Sequence, residues 1–75
     1  MRAGGIVHVP SNVILVREMP LDETVVLTKY LKTSVPKKAL VLRELSNTRV
    51  VVEYGEYSWT VRKKDITLLE FESDY

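Results

Sequence analysis

Chemistry has few places to reside in this chain. His8 is its single histidine and no cysteine accompanies it. A zinc site draws on about four His, Cys or carboxylate ligands, so His8 reads as a structural or surface residue rather than a ligand or general base. The serines Ser11, Ser34, Ser46, Ser58 and Ser73 occupy turn-like or strand-like surroundings, and none lies in a nucleophile-elbow pattern. Glu53 and Glu56 flank Gly55 and are the nearest thing to paired carboxylates, but acids beside a turn are ordinarily solvated. Gly4-Gly5 lacks the downstream glycine and lysine of a phosphate-cradling loop and reads as a flexible leader. The expectation is a protein that is not an enzyme, with no catalytic, cofactor-binding or metal-binding residue.

Two groups remain that could bind. Tyr54, Tyr57 and Trp59 place three rings close together in sequence. In so small a protein a tryptophan belongs to the core, which leaves Tyr54 and Tyr57 as the surface candidates. The second group is basic: Lys37, Lys38, Arg49, Arg62, Lys63 and Lys64, which on one barrel edge would contact phosphates. The formal net charge of +1 conceals this segregation. Residues 29–64 hold nine Lys or Arg against Glu44, Glu53 and Glu56, whereas Asp65, Glu70, Glu72 and Asp74 make the end acidic. An acidic tail lying beside the basic middle would cancel its field within a Debye length of about 8–10 Å.

The elements that must position these groups are strands. In the block Arg49 to Leu69, RVVVEYGEYSWTVRKKDITLL, Val50, Val52 and Tyr54 alternate with Val51 and Glu53, and Tyr57, Trp59 and Val61 with Ser58, Thr60 and Arg62. This is the period of a sheet with one face buried and one wet. A turn at Tyr54-Gly55-Glu56 joins the two runs into a hairpin. A polar break at Arg62-Lys63-Lys64-Asp65 then precedes a last strand, Ile66 to Phe71. Ala39 to Leu45 forms a further strand, closed off by Ser46-Asn47-Thr48. Upstream, Ile6–Val9 and Val13–Val16 are strands separated by a bend at Pro10-Ser11-Asn12. Met19-Pro20-Leu21-Asp22 breaks the pattern again. Between Glu23 and Lys32, β-branched residues favour extended structure or a loop, while Asp22 as an N-cap with Leu27, Tyr30 and Leu31 permits a helical turn or two. Ser34-Val35-Pro36 reads as a connection and Ser73-Asp74-Tyr75 as a frayed end.

The chain has 75 residues, which makes residues 1–75 one domain near the size at which a single core yields only about 3–5 kcal/mol of net stability. Without cysteine, packing alone must hold it. Neither a signal peptide nor a stretch of roughly 18–20 apolar residues is present, so the expected setting is soluble and cytoplasmic, in the host cytoplasm for a viral protein.

Residues 37–69, and VVVEYGEYSWTVRKKDITLL above all, resemble the closing portion of Tudor-type and other bacterial or phage domains with the Src-homology-3-like barrel. There a strand ending near Tyr-Gly is followed by a strand, a short 3₁₀ turn with an Asp-Leu or Asp-Ile pair, and the final strand. The resemblance implies an all-β fold, a small five-stranded Src-homology-3-like barrel, with an irregular or partly helical segment near residues 19–36. The aromatic cage of the methyl-reading Tudor domains draws partly on their first hairpin and is not matched here, because residues 1–29 contain no aromatic residue. The short, cysteine-free chain also resembles small phage-encoded accessory proteins.

The expected function is a non-catalytic protein-interaction module that docks on a larger protein or assembly. Its partner-binding residues would come from Tyr54, Tyr57, Lys37, Lys38, Arg49, Arg62, Lys63 and Lys64. Apolar residues on both faces of their strands, Ile14, Val16, Leu40 and Leu42, also suit sheet-on-sheet burial or a homodimer. The alternative is an RNA- or DNA-binding barrel that uses a basic face.

Overall fold

The computed structural model describes residues 3–71. Seven strands follow one another: β1 (Gly5–Val9), β2 (Ile14–Pro20), β3 (Val26–Lys32), β4 (Lys37–Glu44), β5 (Arg49–Tyr54), β6 (Tyr57–Arg62) and β7 (Thr67–Phe71), with one 3₁₀ turn, Lys63–Asp65, before the last. They form a single antiparallel sheet in the order β3-β2-β6-β5-β4-β1-β7. The all-β class is as expected, but the strands number seven rather than five, and no ladder joins β3 to β7 to close a barrel.

The sheet nevertheless has to curl. Residues 10–13 alone connect β1 to β2, yet β6, β5 and β4 lie between them in the sheet. On a flat sheet that gap is about 19 Å, four spacings of roughly 4.8 Å. Five peptide steps span at most about 18 Å even when straight, and Asn12, with φ 64°, puts a turn in the middle. The curl gives the sheet an inside. Val7, Val9, Leu15, Val41, Val50, Val52 and Val61 are fully or almost fully buried there, every second residue along their strands, and Trp59, Tyr54, Ile66, Val13 and Ala39 complete the core. The period-two reading of β5 and β6 therefore selects the correct inner wall.

Residues 19–36 form no helix: 19–20 end β2 and 26–32 make β3, while only the loops at 21–25 and 33–36 are irregular as expected. β2 runs through Met19 to Pro20 and pairs along its whole length with β3, from Ile14 opposite Lys32 to Pro20 opposite Val26. Pro20 is tolerated because its missing N–H falls at the last pair, while β2 meets β6 only at Val16 opposite Thr60. Asp22 does act as a cap, accepting hydrogen bonds through Oδ1 from the backbone N–H groups of Thr24 (2.7 Å) and Val25 (2.9 Å) and from the Thr24 hydroxyl (3.1 Å). These bonds, led by the Thr24 N–H, hold its carboxyl below the usual range. They close the hairpin loop instead of starting a helix, which is why the same residue types read either way.

Gly4-Gly5 is not a free leader either. Gly5 opens β1, and the N–H of Gly4, at φ 89°, donates to the Val41 carbonyl at 2.9 Å. At the β5–β6 turn Gly55 has φ 67° as the first of two loop residues, a position that glycine takes without the steric cost of a Cβ. The expected last strand is present from Thr67, one residue later than Ile66, to Phe71, the last described residue; Ser73-Asp74-Tyr75 and the acids Glu72 and Asp74 lie outside the described residues.

One buried polar side chain ties the hairpin to the sheet. Thr33, 3% exposed, donates its hydroxyl to the Pro10 carbonyl (2.6 Å) and accepts from the Val13 N–H (2.9 Å). Its backbone N–H donates to the Val13 carbonyl at 2.9 Å, and its carbonyl accepts from the Asn12 N–H at 2.8 Å. Nothing in the sequence singled this threonine out.

Candidate interaction site

Beyond Thr33 the β2–β3 hairpin leaves the core. Leu31 still packs against the core, but Leu21, Val25, Val26, Leu27 and Tyr30 are exposed, Tyr30 to 69%. In β3, Val26, Thr28 and Tyr30 share one face, and Leu27 and Lys29 the other. Apolar surface thus shows on both sides of a strand whose outer edge pairs with no other strand among the described residues.

The outer face of the sheet, next to this hairpin, holds an open groove of about 990 Å³. Cross-strand register builds its floor: Tyr30 lies opposite Val16, Val16 opposite Thr60, Thr60 opposite Val51 and Val51 opposite Arg43. In the next row Arg49 lies directly opposite Arg62. Arg43, Arg49 and Arg62 all line the groove, and Glu18 is the one carboxylate among its lining residues.

Arg43 reaches this face through a bulge. Strict alternation from Ala39 and Val41 would send Arg43 inward, but the register shifts between Val41 and Arg43, and the extra residue, Leu42, returns Arg43 to the outside opposite Val51. A bulge leaves no mark on the hydrophobic pattern, so Arg43 was not among the residues expected to bind. Arg17 was missed as well. It stacks its guanidinium over the Tyr57 ring, 4.2 Å from the centroid, a cation–π contact between two strands far apart in the sequence.

The expected basic set does not form one face. Arg49 and Arg62 sit together, with Lys63 and Lys64 just beyond them in the 3₁₀ turn. Lys37 and Lys38 open β4 beside Val9 and His8, at the opposite end of the β5–β6 hairpin. The length of β5 separates the two groups, roughly 17 Å, more than a Debye length. Part of the charge is also spoken for. Lys63 Nζ lies 2.7 Å from a Glu44 carboxylate oxygen, and Arg62 Nε donates to Asp65 Oδ2 at 3.0 Å. Among the described residues Arg43 and Arg49 have neither an ion pair nor a side-chain hydrogen bond.

The aromatics divide as well. Tyr57, 49% exposed, is at the surface, but Tyr54 is 9% exposed and belongs to the core with Val50 and Val52, its companions in phase. Lys37 Nζ approaches the Tyr54 ring at 5.6 Å from its centroid. Trp59 is buried as expected, at 9% exposure, with no hydrogen-bond acceptor for its Nε1 among the described residues.

The hydrogen bond from Lys63 is the largest influence on the Glu44 carboxyl and helps hold it near a pKa of about 2, below its ordinary 4.5. A depressed folded-state value means that the contact supports the fold fully above the ordinary range and loses that support as pH falls from about 4.5 to about 2. Carbon-detected titration of the Glu44 side chain should give a midpoint near 2, and Lys63→Ala should move it upward while leaving the sheet intact. A midpoint that stays put in that variant removes Lys63 as the cause.

No described helix is long and apolar enough to cross a membrane. In comparisons with known proteins the chain matches no family model, no curated protein and no solved structure.

Proposed function

We propose that this protein is a non-catalytic interaction module that docks on a larger protein or assembly as an accessory or regulatory factor. The observation that carries the reading is the β2–β3 hairpin, with Leu21, Val25, Val26, Leu27 and Tyr30 exposed around a free strand edge. Apolar residues gathered on a projecting element mark protein contacts, and an open edge offers backbone donors and acceptors to an added strand. Lys29 and Lys32 lie on that edge strand. A second copy paired there would set like charges side by side, whereas a strand bearing acidic side chains would complement them, so a different protein chain is the preferred partner over a homodimer.

A kinship with Src-homology-3-like domains belongs to the same proposal. Its support is the succession of β6, a 3₁₀ turn ending at Asp65-Ile66, and β7, which returns to pair with β1.

The tagged full chain should retain one protein in stoichiometric amount from its native lysate. A Val25→Ser/Leu27→Ser variant with unchanged circular dichroism and urea midpoint should lose at least nine-tenths of it, roughly 1.4 kcal/mol of binding. Undiminished capture by that variant takes the hairpin out of the interaction. A second reading, RNA or DNA binding, draws on the convergence of Arg43, Arg49 and Arg62 in one groove. It requires retention on heparin or an oligonucleotide that falls steeply with salt, and ends if low salt gives none.

A further inference from the structure

We infer that the outer-face groove binds an extended acidic peptide segment, with Arg43, Arg49 and Arg62 as its carboxylate ligands. This deepens the interaction-module reading, on which it rests. The row from Tyr30 through Val16, Thr60 and Val51 to Arg43 crosses five strands. Measured along the sheet that is about 19 Å, the length of roughly six extended residues.

Charge selects the occupant. Like charges directly opposite one another weaken a sheet, yet Arg49 faces Arg62, and Arg43 stands beside Val51, two residues along β5 from Arg49. Glu18 is the one acid lining the groove. Arg62 commits its Nε to Asp65, leaving its terminal nitrogens, and Arg43 and Arg49 have no partner among the described residues. Guanidinium forks match carboxylates two bonds at a time, and a carboxylate between Arg49 and Arg62 would convert a repulsive pair into a clamp.

The floor selects a peptide over a nucleic acid. Ile14, Val16 and Val51 set aliphatic side chains among the hydroxyls of Thr28, Ser58 and Thr60, a mixed floor that suits a partner alternating apolar side chains with acidic ones. Single-stranded nucleic acid needs successive aromatic platforms. Tyr30 is the exposed ring here, and Trp59 is turned into the core.

The test is fluorescence anisotropy at low salt with the full chain and a fluorescein-labelled ten-residue peptide alternating Glu and Val. Its counterpart with Gln for Glu and a ten-thymidine oligonucleotide serve as comparisons. The acidic peptide should bind saturably, at least tenfold tighter than either comparison. Arg43→Gln/Arg49→Gln should weaken it at least tenfold with an unchanged urea midpoint, while Lys37→Gln/Lys38→Gln leaves it as it was. Equal binding of the Gln peptide, tighter binding of the oligonucleotide, indifference to the double arginine variant, or no saturable binding each overturns the assignment. Lysate capture that still depends on Val25 and Leu27 in that event leaves the hairpin reading standing.

Discussion

Replacing Trp59 by alanine should unfold the protein. The indole is 9% exposed inside the curl, opposite Val52 in the neighbouring strand and in phase with Val61. Deleting a buried tryptophan costs about 3–5 kcal/mol, lost transfer energy plus the cavity left behind. That equals the whole net stability, roughly 3–5 kcal/mol, expected of a core this size. Urea unfolding followed by circular dichroism should show no folded baseline for Trp59→Ala. Trp59→Phe, which keeps a ring and removes an N–H that has no acceptor among the described residues, should keep a cooperative transition. A Trp59→Ala protein with the parental midpoint would place the ring outside the core.

Thr33→Val should come second. The swap nearly preserves shape but removes the hydroxyl that serves the Pro10 carbonyl and the Val13 N–H. Each buried group left unpaired costs about 1–3 kcal/mol, so both together cost roughly 2–6 kcal/mol, toward the lower end because the Pro10 carbonyl is only part-buried. The loss is expected as a lower urea midpoint together with faster amide exchange at Val13. Parental exchange at Val13 in that variant would mean that the backbone bonds between Val13 and Thr33 hold the junction without the hydroxyl.

How far the sequence reaches depends on whether a residue's burial repeats every second position. In β5 and β6 one face is buried and the other wet, so Val50, Val52, Trp59 and Val61 declare their direction in their order alone. In β3 neither face is buried over most of its length. Its sequence is therefore under no period, and Glu23 to Lys32 can be read as strand, loop or helical turn. Asp22 compounds the ambiguity, since the same carboxylate geometry closes this loop and caps helices. The candidate site was legible only as a list of charges. That Arg49 meets Arg62 follows from register, that Arg43 joins them follows from a bulge, and that Lys37 and Lys38 stand apart follows from strand direction. Tyr54 is the opposite case, because its alternation with Val50 and Val52 already pointed inward.

The pairing of β1 with β7 sets a timetable. Gly5 lies opposite Phe71, so this ladder joins the two extremes of the described chain, while β4, β5 and β6 meet their neighbours across short loops. Closing a long loop costs entropy before any contact repays it. The meander of β4 to β6 should zip up early and β7 should seat last, making its seam the slow step in refolding and the first to open when the protein breathes.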